Sequence, residues 1–195
     1  VDAAGFVSNA RCLAGGDESI NQPVWAPDGS LLLVSDRSGW WNLCRWRDGG
    51  RQELLPQEAE FGRPMWVFGE PTYDTSSGGK TVCSYSSRGR WHLGELDLES
   101  GDWREFELPY TSISSLRASG NTAVFVGGSP TQGNAVVQLN LLTGEDKTLR
   151  RSSDVRVDED YISVPQAVEF PTEGGLTAHG FFYAPRNADY EGPAG

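Results

Sequence analysis

The serine that comes nearest to a hydrolase nucleophile is Ser129, in the segment Gly127-Gly128-Ser129-Pro130. A nucleophile elbow has the pattern G-x-S-x-G, which lifts the serine onto a strand-to-helix turn and uses the next backbone N–H in the oxyanion hole. The sequence contains no G-x-S-x-G, and Pro130 lacks the N–H that this chemistry needs. We therefore predict that Ser129 lies in a loop and that the chain carries no catalytic residue.

Acid–base or metal chemistry would fall to the two histidines, His92 and His179. The spacing places no serine, cysteine or carboxylate where it would form a catalytic pair with either of them. Zinc sites typically show H-x-x-x-H or C-x-x-C spacing, and neither pattern occurs. The sequence predicts surface or packing histidines, no metal site and no cofactor.

Each of two charged segments could either form a functional site or be an ordinary surface or turn segment. Asp158-Glu159-Asp160 could bind a cation or the amino terminus of a ligand, but a solvated loop is the simpler interpretation. Asp36 and Arg37 follow an apolar run, and we interpret them as a turn residue and its charged neighbour. A salt bridge from either of them to another strand unit remains an open alternative.

Four aromatic residues lie close together in the sequence and could line a ligand pocket: Phe61, Trp66, Phe68 and Tyr73. Large aromatic side chains contribute most of the buried area of protein cores. We therefore predict that these four pack as core between neighbouring sheets.

The composition limits the fold and the partners. The chain has 195 residues with 24 glycines and 11 prolines, which is typical of short strands joined by tight turns. Its net charge of −11 argues against nucleic-acid and anionic-membrane partners. Three widely spaced cysteines are not a disulfide framework, and no apolar run reaches the roughly 18 residues that span a bilayer. We expect a cytoplasmic protein.

A repeat organises the chain, since Pro23-Val24-Trp25 recurs as Pro64-Met65-Trp66, 41 residues later. Each copy continues with a turn, an apolar strand, a second turn, a third strand, a Gly turn and a final strand. A third, more diverged copy follows, in which Ala123–Val126 is the apolar strand. Four strands in about 40 to 50 residues match one blade of a β-propeller.

The apolar strands show no alternation, because neighbouring residues are apolar in both Leu31–Val34 and Ala123–Val126. A strand of this kind should be covered on both faces, as when blades pack face to face. We predict an all-β chain, a partial β-propeller of about three four-stranded antiparallel blades plus a C-terminal β-hairpin. A small β-sandwich is the weaker alternative, because its strands should be apolar on one face only.

The predicted domain organisation has five parts. Residues 1–19 would end a preceding blade, with Phe6 to Leu13 as its last segment, so the chain would start inside a propeller. The three blades would be residues 20–58, 59–109 and 110–153. Residues 154–195 would be a linker and the first hairpin of a further domain.

Five segments, taken in order, resemble the prolyl oligopeptidase family of serine peptidases, and most of all its dipeptidyl-aminopeptidase and acylaminoacyl-peptidase types. They are INQPVWAPDGSLLLVSDRSGWWNLCRW, EFGRPMWVFG, LPYTSISSLRASG, FVGGSPTQ and VPQAVEFPTEGGLTAHGFFYAPRN. The resemblance covers nearly the whole chain. Single features such as W-x-P-D-G also occur in TolB-type propellers, but the ordered set is more specific.

The resemblance implies a non-catalytic propeller fragment whose partner is an α/β-hydrolase domain of the same protein. In this family that domain holds a Ser-Asp-His triad, and the propeller gates access for compact peptide substrates. The alternative is a stand-alone TolB-like binding module. Blades left open at either end would expose apolar faces, so we also expect self-association.

Overall fold

The computed structural model describes residues 4–7, 10–64, 66 and 69–192. The chain divides into two compact units, residues 1–66 and 67–195. Within the described part of the chain, no helix has the length and apolar character needed to cross a bilayer.

The first unit contains one four-stranded antiparallel sheet in sequence order, and its strands are β1 (Ile20–Trp25), β2 (Leu31–Ser35), β3 (Asn42–Arg47) and β4 (Gly50–Glu53). β3 and β4 meet at a two-residue turn in which Asp48 and Gly49 both have positive φ, the type I′ geometry that suits the twist of a hairpin. Leu32, Leu33 and Val34 are all buried. The prediction that this strand is covered on both faces is confirmed.

The second unit holds two four-stranded sheets and a hairpin. The second sheet consists of β5 (Tyr73–Thr75), β6 (Lys80–Ser87), β7 (Arg90–Asp97) and β8 (Trp103–Glu105). The third consists of β9 (Ser112–Ser119), β10 (Thr122–Ser129), β11 (Gln132–Asn140) and β12 (Asp146–Arg151). The hairpin pairs β13 (Pro165–Pro171) with β14 (Thr177–Tyr183), and the short 3-10 helices are Ser77–Gly79, Glu159–Tyr161 and Glu173–Gly175.

The second and third sheets share one hydrophobic core. Val82 and Leu93 from the second sheet pack with Phe125, Val137 and Leu139 from the third. Two polar contacts connect the sheets at the edge of this core: the Ala118 N–H donates to the Asp74 carboxylate at 2.9 Å, and the Arg104 guanidinium donates to the Leu141 carbonyl at 2.9 Å. In the described part of the chain, three four-stranded antiparallel sheets and a hairpin confirm the predicted fold class.

The structure differs from three details of the sequence interpretation. Residues 71–76 contain the first strand of the second sheet, Tyr73–Thr75, so the motif at Pro64 does not open that sheet, and Trp66 lies in a turn. The described part of residues 6–13 forms no strand. In β10, Ala123 and Phe125 are buried whereas Val124 and Val126 are half-buried, so only one face of this strand is fully covered. Similarity between segments of the sequence identified the repeat. The positions of the strands, however, depend on which backbone N–H and C=O groups form hydrogen bonds with a neighbouring strand.

Candidate functional site

A tight turn and two backbone hydrogen bonds build the floor of a cleft in the second unit. β6 and β7 are joined through Arg88 and Gly89, whose positive φ values of 49° and 75° define a type I′ turn. Arg90 is the first residue after this turn. The Trp91 N–H donates to the Thr111 carbonyl at 3.0 Å, and the Thr111 N–H donates to the Gly128 carbonyl at 2.9 Å. The ends of β7 and β10 are thereby fixed beside each other.

The C-terminal hairpin forms the opposite wall. The ring of Phe181 lies directly over Gly89, where a Cβ atom would collide with it. At Gly128, a Cβ atom would collide with the side-chain oxygen of Asn134. Glycine at these two positions lets the hairpin and β11 approach the turns closely. The space left between them is a cleft of about 630 Å³, which we call the hairpin cleft.

Polar groups and apolar groups both line the hairpin cleft. Hydroxyl and amide groups come from Thr111, Ser112, Ser129, Asn134, Ser163 and Tyr183. The apolar lining comes mainly from Val164, Pro165, Ala167 and Phe181. Of the described residues that line it, Arg90 is the one with a charged side chain. The cleft therefore combines one cation with several hydrogen-bonding groups and an aromatic wall.

A second cavity of about 500 Å³ adjoins the hairpin cleft and shares Arg90 and Thr111 with it. Its lining includes His92 and Glu105. His92 Nδ1 lies 2.9 Å from Glu105 Oε1, and the Tyr85 hydroxyl donates to Glu105 Oε2 at 2.7 Å. Burial and the Glu105 carboxylate raise the pKa of Tyr85. Both carboxylate oxygens of Glu105 are therefore already engaged.

This geometry can bind a ligand, but it does not assemble a covalent nucleophile. The prediction that Ser129 lies in a loop is wrong, because it is the last residue of β10 and pairs with Gln132 of β11. Its side chain lines the hairpin cleft, with Oγ 3.3 Å from Thr131 Oγ1. No histidine or carboxylate is among the described residues that line that cleft. Conversely, no serine or cysteine is among the described residues that line the cavity containing His92. A serine needs an adjacent base to become a nucleophile, and these groups lie in separate cavities.

The remaining charged candidates lie apart from the cleft. His179 faces Glu169 across the hairpin at 3.4 Å, and both are exposed. Asp158 accepts from the Asp160 N–H at 3.1 Å, and Asp160 pairs with Arg186 at 2.7 Å. In the part of the chain that the structure describes, no group of three histidine, cysteine or acidic side chains is placed to hold a metal ion.

Of the four aromatic candidates, two are buried, one is exposed and one lies outside the described residues. Phe61, in the first unit, and Tyr73, in the second, are each 1% exposed. The expectation that Trp66 is core is wrong, because its side chain is 87% exposed and the residue lies in a turn. Phe68 lies outside the described residues.

A polar cluster in the first unit holds the start of its sheet. The Asp36 carboxylate accepts from the Ser19 N–H at 2.7 Å. Glu18 accepts from the Ser35 hydroxyl and from Arg51, both at 2.5 Å. Hydrogen bonds from Ser35 and Arg51 lower the pKa of Glu18 to about 2, although burial opposes the shift. Nearby, burial and Glu53 raise the pKa of the Cys44 thiol to about 12, which favours the protonated thiol at neutral pH.

Sequence reasoning missed the residues that build the cleft. No motif that predicts a binding site contains Arg90, Asn134, Phe181 or Tyr183. Their positions in the chain range over almost a hundred residues. The sequence feature that could have pointed to the cleft is an arginine beside a turn with no acidic residue close to it in the sequence. Such arginines are common on protein surfaces.

Two matches among solved structures show the class of fold. A study of two prolyl endopeptidases contains a chain that matches 87% of this one with a TM-score of 0.65 and 16% identity. Prolyl oligopeptidase B from Galerina marginata matches 88% with a TM-score of 0.67 and 10% identity. At this low identity the two matches show the fold alone. A scan against family models found no match, and a search of curated proteins also found none.

Two further structures are more similar in sequence. A puromycin hydrolase matches 100% of this chain with a TM-score of 0.89 and 36% identity. A puromycin-hydrolyzing peptidase from Mycobacterium tuberculosis matches 95% with a TM-score of 0.87 and 32% identity. The chain spans 30% and 29% of the lengths of these two proteins. The resemblance to the prolyl oligopeptidase family is confirmed, and it is a resemblance to a fragment of the propeller.

Proposed function

We propose that this chain is a non-catalytic propeller fragment of a prolyl oligopeptidase-family serine peptidase, in which it gates access and selects peptide substrates. The observation that carries the proposal is the match of the whole chain, at 36% identity, to 30% of a puromycin hydrolase. Its partner would be an α/β-hydrolase domain of the same protein. The blade boundaries at residues 20–58, 59–109 and 110–153 are part of this proposal.

The geometry of the second unit supports a role in selection rather than in bond cleavage. The hairpin cleft and the cavity beside it offer ligand-sized space lined by polar and aromatic groups. Ser129 and His92 lie in different cavities, so among the described residues they do not form a pair of nucleophile and base. Puromycin, the substrate named for both relatives, is the first substrate to test.

A chimera tests the proposal. Residues 1–195 would replace the matching part of the puromycin hydrolase, and hydrolysis of puromycin and of peptides of increasing length would be measured. We expect the chimera to hydrolyse puromycin and short peptides and to exclude long unfolded chains, as a gate requires. The intact puromycin hydrolase is the control.

Two results would contradict the proposal. One is a folded chimera that no longer hydrolyses puromycin, and the other is a chimera that cleaves long chains as fast as short ones. A fluorophosphonate probe on the isolated 195-residue chain gives an independent check. Stoichiometric labelling of a serine in that chain would overturn the assignment of a non-catalytic fragment.

A further inference from the structure

The charge distribution of the hairpin cleft is unusual for this protein. The chain carries a net charge of −11. Nevertheless, no carboxylate lies among the described residues that line this cleft, and its one charged side chain is Arg90. A cleft of one sign focuses the local field on its ligand. In an acidic protein, a basic cleft without a compensating carboxylate is suited to an anionic group.

Arg90 is available for such a ligand. Its side chain is exposed, and no described residue forms a hydrogen bond or an ion pair with it. Two other arginines of the second unit are engaged, since Arg104 donates to the Leu141 carbonyl and Arg186 pairs with Asp160. The neighbouring cavity, which Arg90 also lines, contains two carboxylates, Glu105 and Glu107. Glu105 already accepts from Tyr85 and contacts His92, and among the described residues neither glutamate forms an ion pair with Arg90. An isolated guanidinium at the junction of two cavities has its full set of donors free.

The residues around Arg90 indicate which class of ligand the hairpin cleft would bind. A guanidinium binds a carboxylate through two parallel hydrogen bonds. Thr111, Ser129 and Asn134 place further hydrogen-bonding groups in the cleft, and Phe181 and Tyr183 add an aromatic wall. A ligand with a carboxylate next to an apolar or aromatic side chain would use all three features.

We infer that the hairpin cleft binds the C-terminal end of a peptide, with the terminal carboxylate on Arg90 and the last side chain against Phe181 and Tyr183. The inference deepens the proposed function, because it names the part of the peptide that the propeller fragment recognises. It rests on the proposed function only for the choice of a peptide as ligand. Arg90 acts here as a binding residue and takes no part in bond cleavage.

The test compares two probes that differ only in charge, N-acetyl-Phe-Phe and its C-terminal amide. Their binding to the 195-residue chain is measured by titration calorimetry or by chemical-shift changes. We expect the acid to bind about tenfold more tightly than the amide, as a charge-assisted hydrogen-bond pair should provide. The Arg90→Gln variant should bind the two probes equally, because it keeps a polar side chain and loses the charge.

Arg88→Gln is the matched control, because Arg88 lies two positions away, is exposed and lines neither cavity. It should retain the preference for the acid, and circular dichroism should show that both variants are folded. Equal binding of acid and amide by the unchanged chain would overturn the inference. So would a preference that survives Arg90→Gln, the absence of binding by either probe, or tighter binding of phenyl phosphate than of the acid.

The result of this binding experiment is independent of the result of the chimera experiment. A chimera without hydrolytic activity would leave the probe preference of the isolated chain intact. Equal binding of the two probes would in turn leave the hydrolysis of puromycin by the chimera intact.

Discussion

At the residue scale, the chemistry of Glu18 depends on the side chains around it. It is 9% exposed and is held by Ser35, Arg51 and the Gly15 N–H. These contacts join the segment before β1 to the strands β2 and β4 of the first unit. A buried carboxylate is tolerated only with such partners, since an unpaired one would cost several kcal/mol.

We predict that Glu18→Gln lowers the free energy of unfolding at pH 7 by about 2 kcal/mol, because the charge-assisted contacts with Ser35 and Arg51 are weakened. The folded pKa of Glu18, about 2, lies below its ordinary value of 4.5. The stabilisation is therefore complete above pH 4.5 and is lost as the pH falls toward 2. Urea unfolding of the unchanged chain and the variant at several pH values measures this difference.

Glu58→Gln is the control for this experiment, since Glu58 is exposed in the same unit. It should change the free energy of unfolding by less than about 0.5 kcal/mol. A Glu18→Gln effect that persists undiminished at pH 2 would show that the lost contact does not depend on the charge of Glu18.

At the scale of single elements, the β6–β7 turn and the hairpin depend on each other through Gly89. The turn needs positive φ at this position, and the absence of a side chain lets Phe181 rest on it. Gly101, in the turn between β7 and β8, has a similar φ of 79° but has nothing within 4 Å of the position that a Cβ would take. Substitutions at the two glycines therefore distinguish the cost of backbone strain from the cost of losing the contact with the hairpin.

We predict that Gly89→Ala and Gly101→Ala both destabilise the protein, each by about 1 kcal/mol for the strained backbone. Gly89→Ala should cost about 1 kcal/mol more, because it also displaces the Phe181 ring. Thermal unfolding of both variants gives the difference, and near-UV circular dichroism reports on the ring. Equal destabilisation by the two substitutions would mean that Phe181 does not depend on Gly89 for its position.

At the scale of the whole molecule, the third sheet leaves part of its apolar surface accessible. Val124 and Val126 of β10 and Val136 of β11 are half-buried, while their neighbours Phe125 and Val137 are buried in the core. Antiparallel sheets commonly present one face to water, but that face is then usually polar. A central group of valines on the accessible face favours contact with another surface.

We expect the 195-residue chain to self-associate through this face at high concentration. Val126→Lys should shift the equilibrium toward monomer, because a charge would have to be buried in the contact. Leu142→Lys is the matched control, since Leu142 is 66% exposed in the turn after β11. Sedimentation velocity over a range of concentrations measures the effect, and a monodisperse monomer at every concentration would refute the expectation.

The blades were predicted from local patterns in the sequence. Apolar runs bounded by Gly turns predicted the strands at Leu31 and Ala123, because a strand and its turn are specified by neighbouring residues. The same patterns misplaced the first strand of the second sheet. The motif at Pro64 copies the one at Pro23, but the backbone that pairs with β6 is Tyr73–Thr75. The identity of the pairing strand depends on contacts that a local motif does not contain.

The sequence alone therefore determined the all-β class, the four-stranded units, the hairpin and the absence of a nucleophile elbow, since each follows from residues close together in the chain. Only the tertiary structure decided which side chains share the hairpin cleft. Arg90 and Phe181 lie far apart in sequence and meet because the hairpin folds back onto the glycine turn. Only the tertiary structure, too, separated Ser129 from His92. Side chains from distant segments become neighbours through packing and strand register, which no local pattern records.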